Sequence, residues 1–232
     1  VNAYAEQVAA LANSTNETVQ ALYLRFLAGE ITEDMFVALA TTALTVGDSK
    51  AAALADAGVV AALTVMTAEV VLPVGIPAPK PPPNLLRQII VDALADEEPK
   101  RALETGARGR TLETAQHAYK SGLESHEVKF WTRAPNSGAC PACQNLAGQV
   151  MPIDKEMWTH KGCSCTQKPA NEHQKEKSSA RNRDNAKRAA ATRRANDAAD
   201  PEQSAARRSA AARRAAATRE QRERERRAGE RT

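Results

Sequence analysis

At 232 residues and a formal net charge of +4, the chain is long enough for one or two domains with a real core. It has three Tyr, three Phe and two Trp, so that core must be built from Ala, Leu and Val, which favours closely packed helices and argues against a large sheet. The most apolar run, about 58–76, carries Glu69 and Pro73 and falls short of the roughly 20 unbroken apolar residues a bilayer requires, so no membrane span is expected.

Tyr4, Val8 and Leu11 share one face of a helix over residues 3–12. Ser14 and Glu17 have the spacing of a capping box, which predicts a new helix with Val19, Leu22, Tyr23, Phe26 and Leu27 as its buried stripe and Gly29 as its end. Thr32 is placed to cap the next helix, with Glu33 and Asp34 in its first turn, a stripe of Phe36, Leu39, Ala40, Ala43 and Leu44, and Gly47 as its stop. A third, alanine-rich helix runs from Asp48 towards Leu72, and the short connections predict a bundle over residues 1–72. Residues 73–83 hold six of the twelve prolines and read as a stiff polyproline-II spacer in preference to a ligand for a proline-reading domain. Asn84 is expected to cap a helix bearing Leu85, Leu86, Ile89, Ile90, Ala93 and Leu94, which Pro99 stops. A stretch over about 100–124, interrupted near Gly106 and Gly109, completes a helical connector spanning 84–126. The segment GARGRT (106–111) lacks the lysine of a phosphate-cradling loop and carries no nucleotide role.

Glu127 to Arg133 alternates as a strand does, and a second short strand is expected over Gln149–Ile153, after a turn at Gly148. Between and beyond them lie all four cysteines, Cys140, Cys143, Cys163 and Cys165, with His160 close by. The pattern C-x2-C, sixteen residues, H-x2-C-x-C supplies thiolate and imidazole for a tetrahedral Zn2+. Five candidates exceed the four positions. Four thiolates with His160 outside the shell, or three thiolates with His160, both satisfy the spacing, with His160 and Cys165 read as interchangeable for the fourth place. Disulfides are the competing reading, disfavoured because no secretory signal pattern precedes the motif and no cysteine lies elsewhere. Trp131 and Trp158 are expected to pack around the metal. A catalytic zinc would need an open position; there is no H-E-x-x-H, and the deaminase pattern is missing because Ala139 precedes Cys140 and no H-x-E lies upstream. The centre therefore reads as structural, and no enzymatic activity or small-molecule substrate is expected.

Residues 171–232 hold 18 Lys and Arg against 10 Asp and Glu, which leaves 14 against 18 in residues 1–170. The tail is thus +8 on a body of −4, and it has no aromatic residue and no Leu, Ile, Val or Met, so it cannot build a core. Basic pairs recur at Lys187-Arg188, Arg193-Arg194, Arg207-Arg208 and Arg213-Arg214, with Pro201 between the halves. A solvated tail without a ligand and a phosphate-binding arm both fit this composition; the excess of Arg over Lys favours the arm.

The fold expected is mainly α: a helical bundle (1–72), a proline-rich linker (73–83), a helical connector (84–126), a small β-containing zinc knuckle (127–168) and a disordered or transiently helical basic tail (169–232). At the knuckle the chain resembles the phage Mu F-like minor capsid, or head-morphogenesis, proteins in their actinobacterial-phage form. Trp131-Thr132-Arg133, Cys140-Pro-Ala-Cys143, Leu146-Ala-Gly148 and His160-Lys-Gly-Cys163-Ser-Cys165 follow the family's tryptophan strand, C-x2-C, L-x-G and closing H-P-x-C-R-C. Lys161 replaces the usual proline and Ser164 the usual arginine. The resemblance covers residues 4–168 and implies a virion structural protein. It would assemble with portal or major capsid protein in the host cytoplasm, end in the capsid interior or portal vicinity, and touch packaged DNA non-specifically through the tail. Two other classes compete: a zinc-knuckle nucleic-acid-binding regulator, which would need a base-reading helix, and an HNH-type metal nuclease, with His160 as base and His117, His126 or His173 brought near by the fold.

Overall fold

Helix α1 (Ala3–Leu27) runs unbroken through the predicted capping box in the computed structural model, which describes residues 3–82, 84–136, 139–157, 163–199 and 209–221. Ser14 lies mid-helix, because the stripe Val8, Ala12, Thr15, Val19 and Tyr23 is buried without interruption and gives the chain no reason to turn out. Thr15 Oγ1 donates back to Leu11 O at 3.0 Å and so spares its own hydroxyl from a buried orphan state. The end at Gly29 is as expected. With φ +71° it lets Glu30 N donate to Arg25 O and Gly29 N to Phe26 O, the paired bonds of a Schellman turn.

Helix α2 (Glu33–Thr67) opens on the predicted cap, Met35 N donating to Thr32 Oγ1 at 3.3 Å. It does not stop at Gly47. A Cβ there would lie 2.9 Å from Thr15 Oγ1, so this glycine is the point at which α1 crosses closely over α2. Leu39, assigned to the stripe, is exposed. By length and composition α2 is long and apolar enough to cross a membrane, a test that a core helix also meets. Here it is the central helix of the bundle, packed against α1, α3 and α4, with Asp48 and Asp56 buried and hydrogen-bonded inside the protein.

The proline-rich stretch does not separate two bodies. Asp56 accepts from Val74 N at 3.3 Å and Gly75 N at 2.8 Å, and Ile76 packs onto Gly122, where an added Cβ would meet its Cδ1 at 2.5 Å. It is a strap laid on the bundle, and residues 1–178 form one compact unit. Helix α3 (Leu85–Leu94) buries Leu86, Ile90 and Ala93; Asn84 precedes it in the left-handed region without a side-chain cap. Pro99 opens α4 (Pro99–Ser125) and does not close α3, since a proline at the first helical position has no N–H to waste. Helix α4 passes Gly106 and Gly109 without a break.

At the middle of the α2–α4 contact, Asp48 Oδ2 accepts from Arg110 Nε at 2.9 Å and Nη2 at 2.7 Å, while Asp48 Oδ1 accepts from Thr114 Oγ1 at 2.6 Å. Apolar cores lie to either side. One joins Val19, Tyr23, Phe36, Leu44, Ile90 and Leu103; the other joins Val59, Leu63, Tyr119, Leu123, Val128 and Trp131.

After α4 the chain enters β1 (Phe130–Ala134), the central strand of an antiparallel sheet ordered β2-β1-β3, with β2 (Val150–Pro152) and β3 (Thr166–Ala170). Pro152 and Pro169 both stand on edge strands, where a missing N–H is tolerated. The predicted tail begins too early: 166–170 is a strand, and α6 (Glu172–Ala199) starts on the sheet. Asn171 and Gln174 cap α6 reciprocally at 2.9 and 3.0 Å, Lys175 Nζ sits 4.4 Å from the Phe130 ring centre, and Val150 N donates to Ser178 Oγ at 3.2 Å. The second unit, Ser179–Thr232, is helical along the rest of α6 and over 209–221.

Asp48→Ala leaves the Arg110 guanidinium buried without its counter-charge, and unfolding in urea is expected to show a loss of about 3–5 kcal/mol. Asp48→Leu combined with Arg110→Met should recover most of that loss. A single variant as stable as the parent would show that the pair does not hold the seam.

Candidate metal centre

The local sequence explains how the thiols are delivered. Cys140 is the N-cap of the short helix α5 (Pro141–Asn145), and Pro141 at its first position fixes the turn, so Cys143 comes round on the same side three residues on. Gly148, at φ +71°, returns the chain to β2. Cys163 and Cys165 lie two residues apart immediately before β3, and both are buried. Gln116 on α4 donates its Nε2 to the carbonyl oxygens of Cys163 at 3.1 Å and Cys165 at 3.3 Å, tying this approach to the bundle.

The sulfurs of Cys143, Cys163 and Cys165 all lie within 4.8 Å of one another, and all three residues are buried. Cys143 Sγ and Cys163 Sγ are 3.7 Å apart, and no disulfide joins the four cysteines. A tetrahedral ion held at the zinc–thiolate length of about 2.3 Å needs sulfurs roughly 3.8 Å apart, so the observed spacing fits an ion between them. Cys140 is half-buried and hydrogen-bonds to Cys143 at the margin of the group. Cys165 is therefore one of the converging three and not the interchangeable ligand expected from spacing. Cys140 and His160 are the remaining candidates for a fourth ligand; His160 lies outside the described residues, as does Trp158.

Burial, and then hydrogen bonds with Cys165, Cys140 and Cys163, push the Cys143 thiol up to about 12. Without a metal Cys143 therefore holds its proton. A divalent cation reverses this preference by deprotonating the thiols it binds, so metal uptake releases protons and strengthens as pH rises.

Sequence reading missed Arg133. Its side chain is buried, and Nη1 donates to Cys143 Sγ at 3.3 Å and lies 3.8 Å from Cys163 Sγ. A guanidinium in that position favours thiolate and offsets the negative charge of a metal bound by three or four sulfurs. The alternation of β1 held the signal, since Trp131 and Arg133 must share a face, but it gave no hint that this face looks onto the cysteines. Trp131 itself does not surround the thiols as expected. It joins the apolar core below the sheet, and its Nε1 donates to Pro152 O at 3.0 Å and Lys155 O at 3.1 Å.

Among the described residues no histidine enters the group: His117 is exposed on α4, His126 follows its last turn and His173 is exposed on α6. Of the basic pairs, Lys187, Arg188 and Arg194 are exposed on α6, and Arg213 and Arg214 are exposed on the helix over 209–221. Arg193 belongs to α6, with its side chain outside the described set, and Arg207 and Arg208 lie outside it altogether. Set against protein-family models, curated proteins and solved structures, the chain matches none of them.

Metal analysis of protein purified from reducing cytosol should give one ion per chain. Cys143→Ser, Cys163→Ser and Cys165→Ser should each abolish binding, whereas one of Cys140→Ser and His160→Ala should be mild. Arg133→Ala should weaken metal affinity by about 10–100-fold, as loss of a group that supports metal ligands commonly does. Metal-free protein with its four thiols oxidised would remove the centre.

Proposed function

We propose that the chain is a minor capsid, or head-morphogenesis, protein of the Mu F-like type from a tailed bacteriophage. It acts as a structural component at the portal or capsid interior, without catalysis. Its knuckle is stapled by structural Zn2+, and its tail lies on packaged DNA. The observation that carries this reading is that the motif residues converge: β1 with Arg133, the C-x2-C turn and the closing C-x-C form one buried thiol cluster on the flank of a helical body. Thiolates at zinc spacing, with a buried arginine as counter-charge, suit a closed site that holds loops together. The sheet beside it has strands of five, three and five residues, too little to stand alone, so a metal staple has a mechanical purpose there. Leu24, Leu27, Met35 and Leu39 are exposed around the α1–α2 turn, which suits a protein that works by assembling with others. The exposed arginines and lysines beyond Ser178 supply the phosphate contacts.

Purified phage heads from a producing host should contain the chain, and heads made without it should be misassembled or empty. A chain that stays in the soluble fraction while intact, filled heads form without it would refute the capsid role. For the tail, log affinity for duplex DNA should fall linearly with log salt, by about 0.9 per phosphate neutralised, without preference between two unrelated sequences. Truncation after Pro169 should abolish binding, and truncation after Ser178 should do so while leaving the body folded. Unchanged affinity on truncation, or a large preference for one duplex, would contradict the arm and favour a regulator.

A further inference from the structure

Beyond Ser178 the basic residues of α6 are not spread evenly around it. At about 100° per residue, Arg181 and Arg188, seven apart, point within roughly 20° of each other. Arg183, Lys187 and Arg194, at intervals of four and seven, fall within about 40° of each other and form a second stripe some 130° from the first. All five are exposed. The narrow arc between the stripes holds Ala180, Asp184, Ala191 and Ala195; the wide arc holds Ala186 and Ala189, with Arg193 as its one basic position in 179–195. The arrangement recurs in the second tail helix. KRAAATR (187–193) and RRAAATR (213–219) are near-repeats, and Ala210 and Ala217 fall between Arg213 and Arg214 as Ala191 falls between Lys187 and Arg188.

Resting on the DNA-arm reading above, we propose that the 179–195 segment of α6 seats in the major groove of duplex DNA, narrow arc inward, one basic stripe on each phosphate wall. On a helix of about 6 Å outer radius, stripes 130° apart are separated by about 11 Å, and the major groove of B-DNA is about 12 Å wide. The minor groove, about 6 Å wide, does not admit a helix, and the major groove of duplex RNA is too narrow for one, so the partner is duplex DNA in preference to duplex RNA. Alanine methyl groups on the inward arc let the helix approach and offer no hydrogen bond to a base edge, so the seat is indifferent to sequence. Asp184 is the exception. Its carboxylate faces the groove between two rows of phosphates and opposes binding, which marks the inward face electrostatically.

The test uses the full-length chain with a 20-base-pair DNA duplex, and an RNA duplex of equal length, at low salt. Ala191→Glu and Ala189→Glu change charge equally on opposite arcs of the same turn, and circular dichroism checks that both keep the parent helicity. Ala191→Glu should weaken DNA binding on the order of tenfold and Ala189→Glu by less than about twofold. Asp184→Ala should tighten binding severalfold, and DNA should be preferred to RNA. Equal losses for the two glutamate variants, or equal affinity for the two duplexes, would overturn the groove seat and leave a diffuse charged arm. No binding by the parent chain would overturn the arm reading and the groove seat with it.

Discussion

A buried carboxylate sets the geometry of the body. Asp48 lies in the middle of a 35-residue helix, and its oxygens are saturated by the Arg110 guanidinium and the Thr114 hydroxyl from α4. An isolated charge there would be strongly unfavourable, so the two helices pack in the register that lets these groups meet. An alanine-rich interface has little shape of its own with which to define that register. Leu and Phe cores elsewhere are selective because large side chains fit few holes; Ala51, Ala52, Ala55, Ala115 and Ala118 fit many. The ion pair and the close approach at Gly47 supply the selectivity that the alanines lack.

The register of α4 then decides where the thiols go. Two turns beyond Arg110, Gln116 and Tyr119 face the knuckle side, and Gln116 holds the carbonyls of Cys163 and Cys165. Val128 N bonds Leu123 O as α4 ends, with Glu127 at φ +56°, so the chain turns directly into β1 and carries Trp131 and Arg133 inward together. One side chain enters the apolar core and the other meets the sulfurs. The thiol cluster is thus tied to the bundle through Gln116, through the buried side chains of β1 and through β3, which packs against α2 and α4.

Much of this was legible in the sequence, and the exceptions share a cause. Helical class, the Thr32 cap, the Gly29 end, strands β1 and β2 and the convergence of cysteines came from local signals: capping chemistry, periodicity and spacing. Gly47, Gly106 and Gly109 read as breaks because glycine weakens a helix, but a loss of about 1 kcal/mol is small for helices of 35 and 27 residues, and at Gly47 and Gly106 the bare Cα admits the Thr15 and Ile89 side chains. Pro99 was assigned to the wrong end of a helix because proline suits both sides of a boundary. Strand β3, TQKPA, lacks apolar alternation; its burial comes from what packs over it and is not written in its own residues. Arg133 was invisible as a partner of the sulfurs for the same reason, since a contact between the face of a strand and cysteines ten and thirty residues away leaves no trace in spacing.

Charge follows the same division between local and long-range effects. The body carries −4 and the tail +8, yet at physiological ionic strength a charge is felt over about 8 Å. Net totals therefore matter less than the charges that a phosphate meets at one time. On α6 the answer lies in intervals of four and seven residues, which gather five cations onto two lines, although the pairs that attract the eye in sequence point in different directions. A tail with the same composition and different intervals would keep the charge and lose the two lines. On the proposed groove seat, the arrangement of the arginines, beyond their number, is therefore what binding depends on.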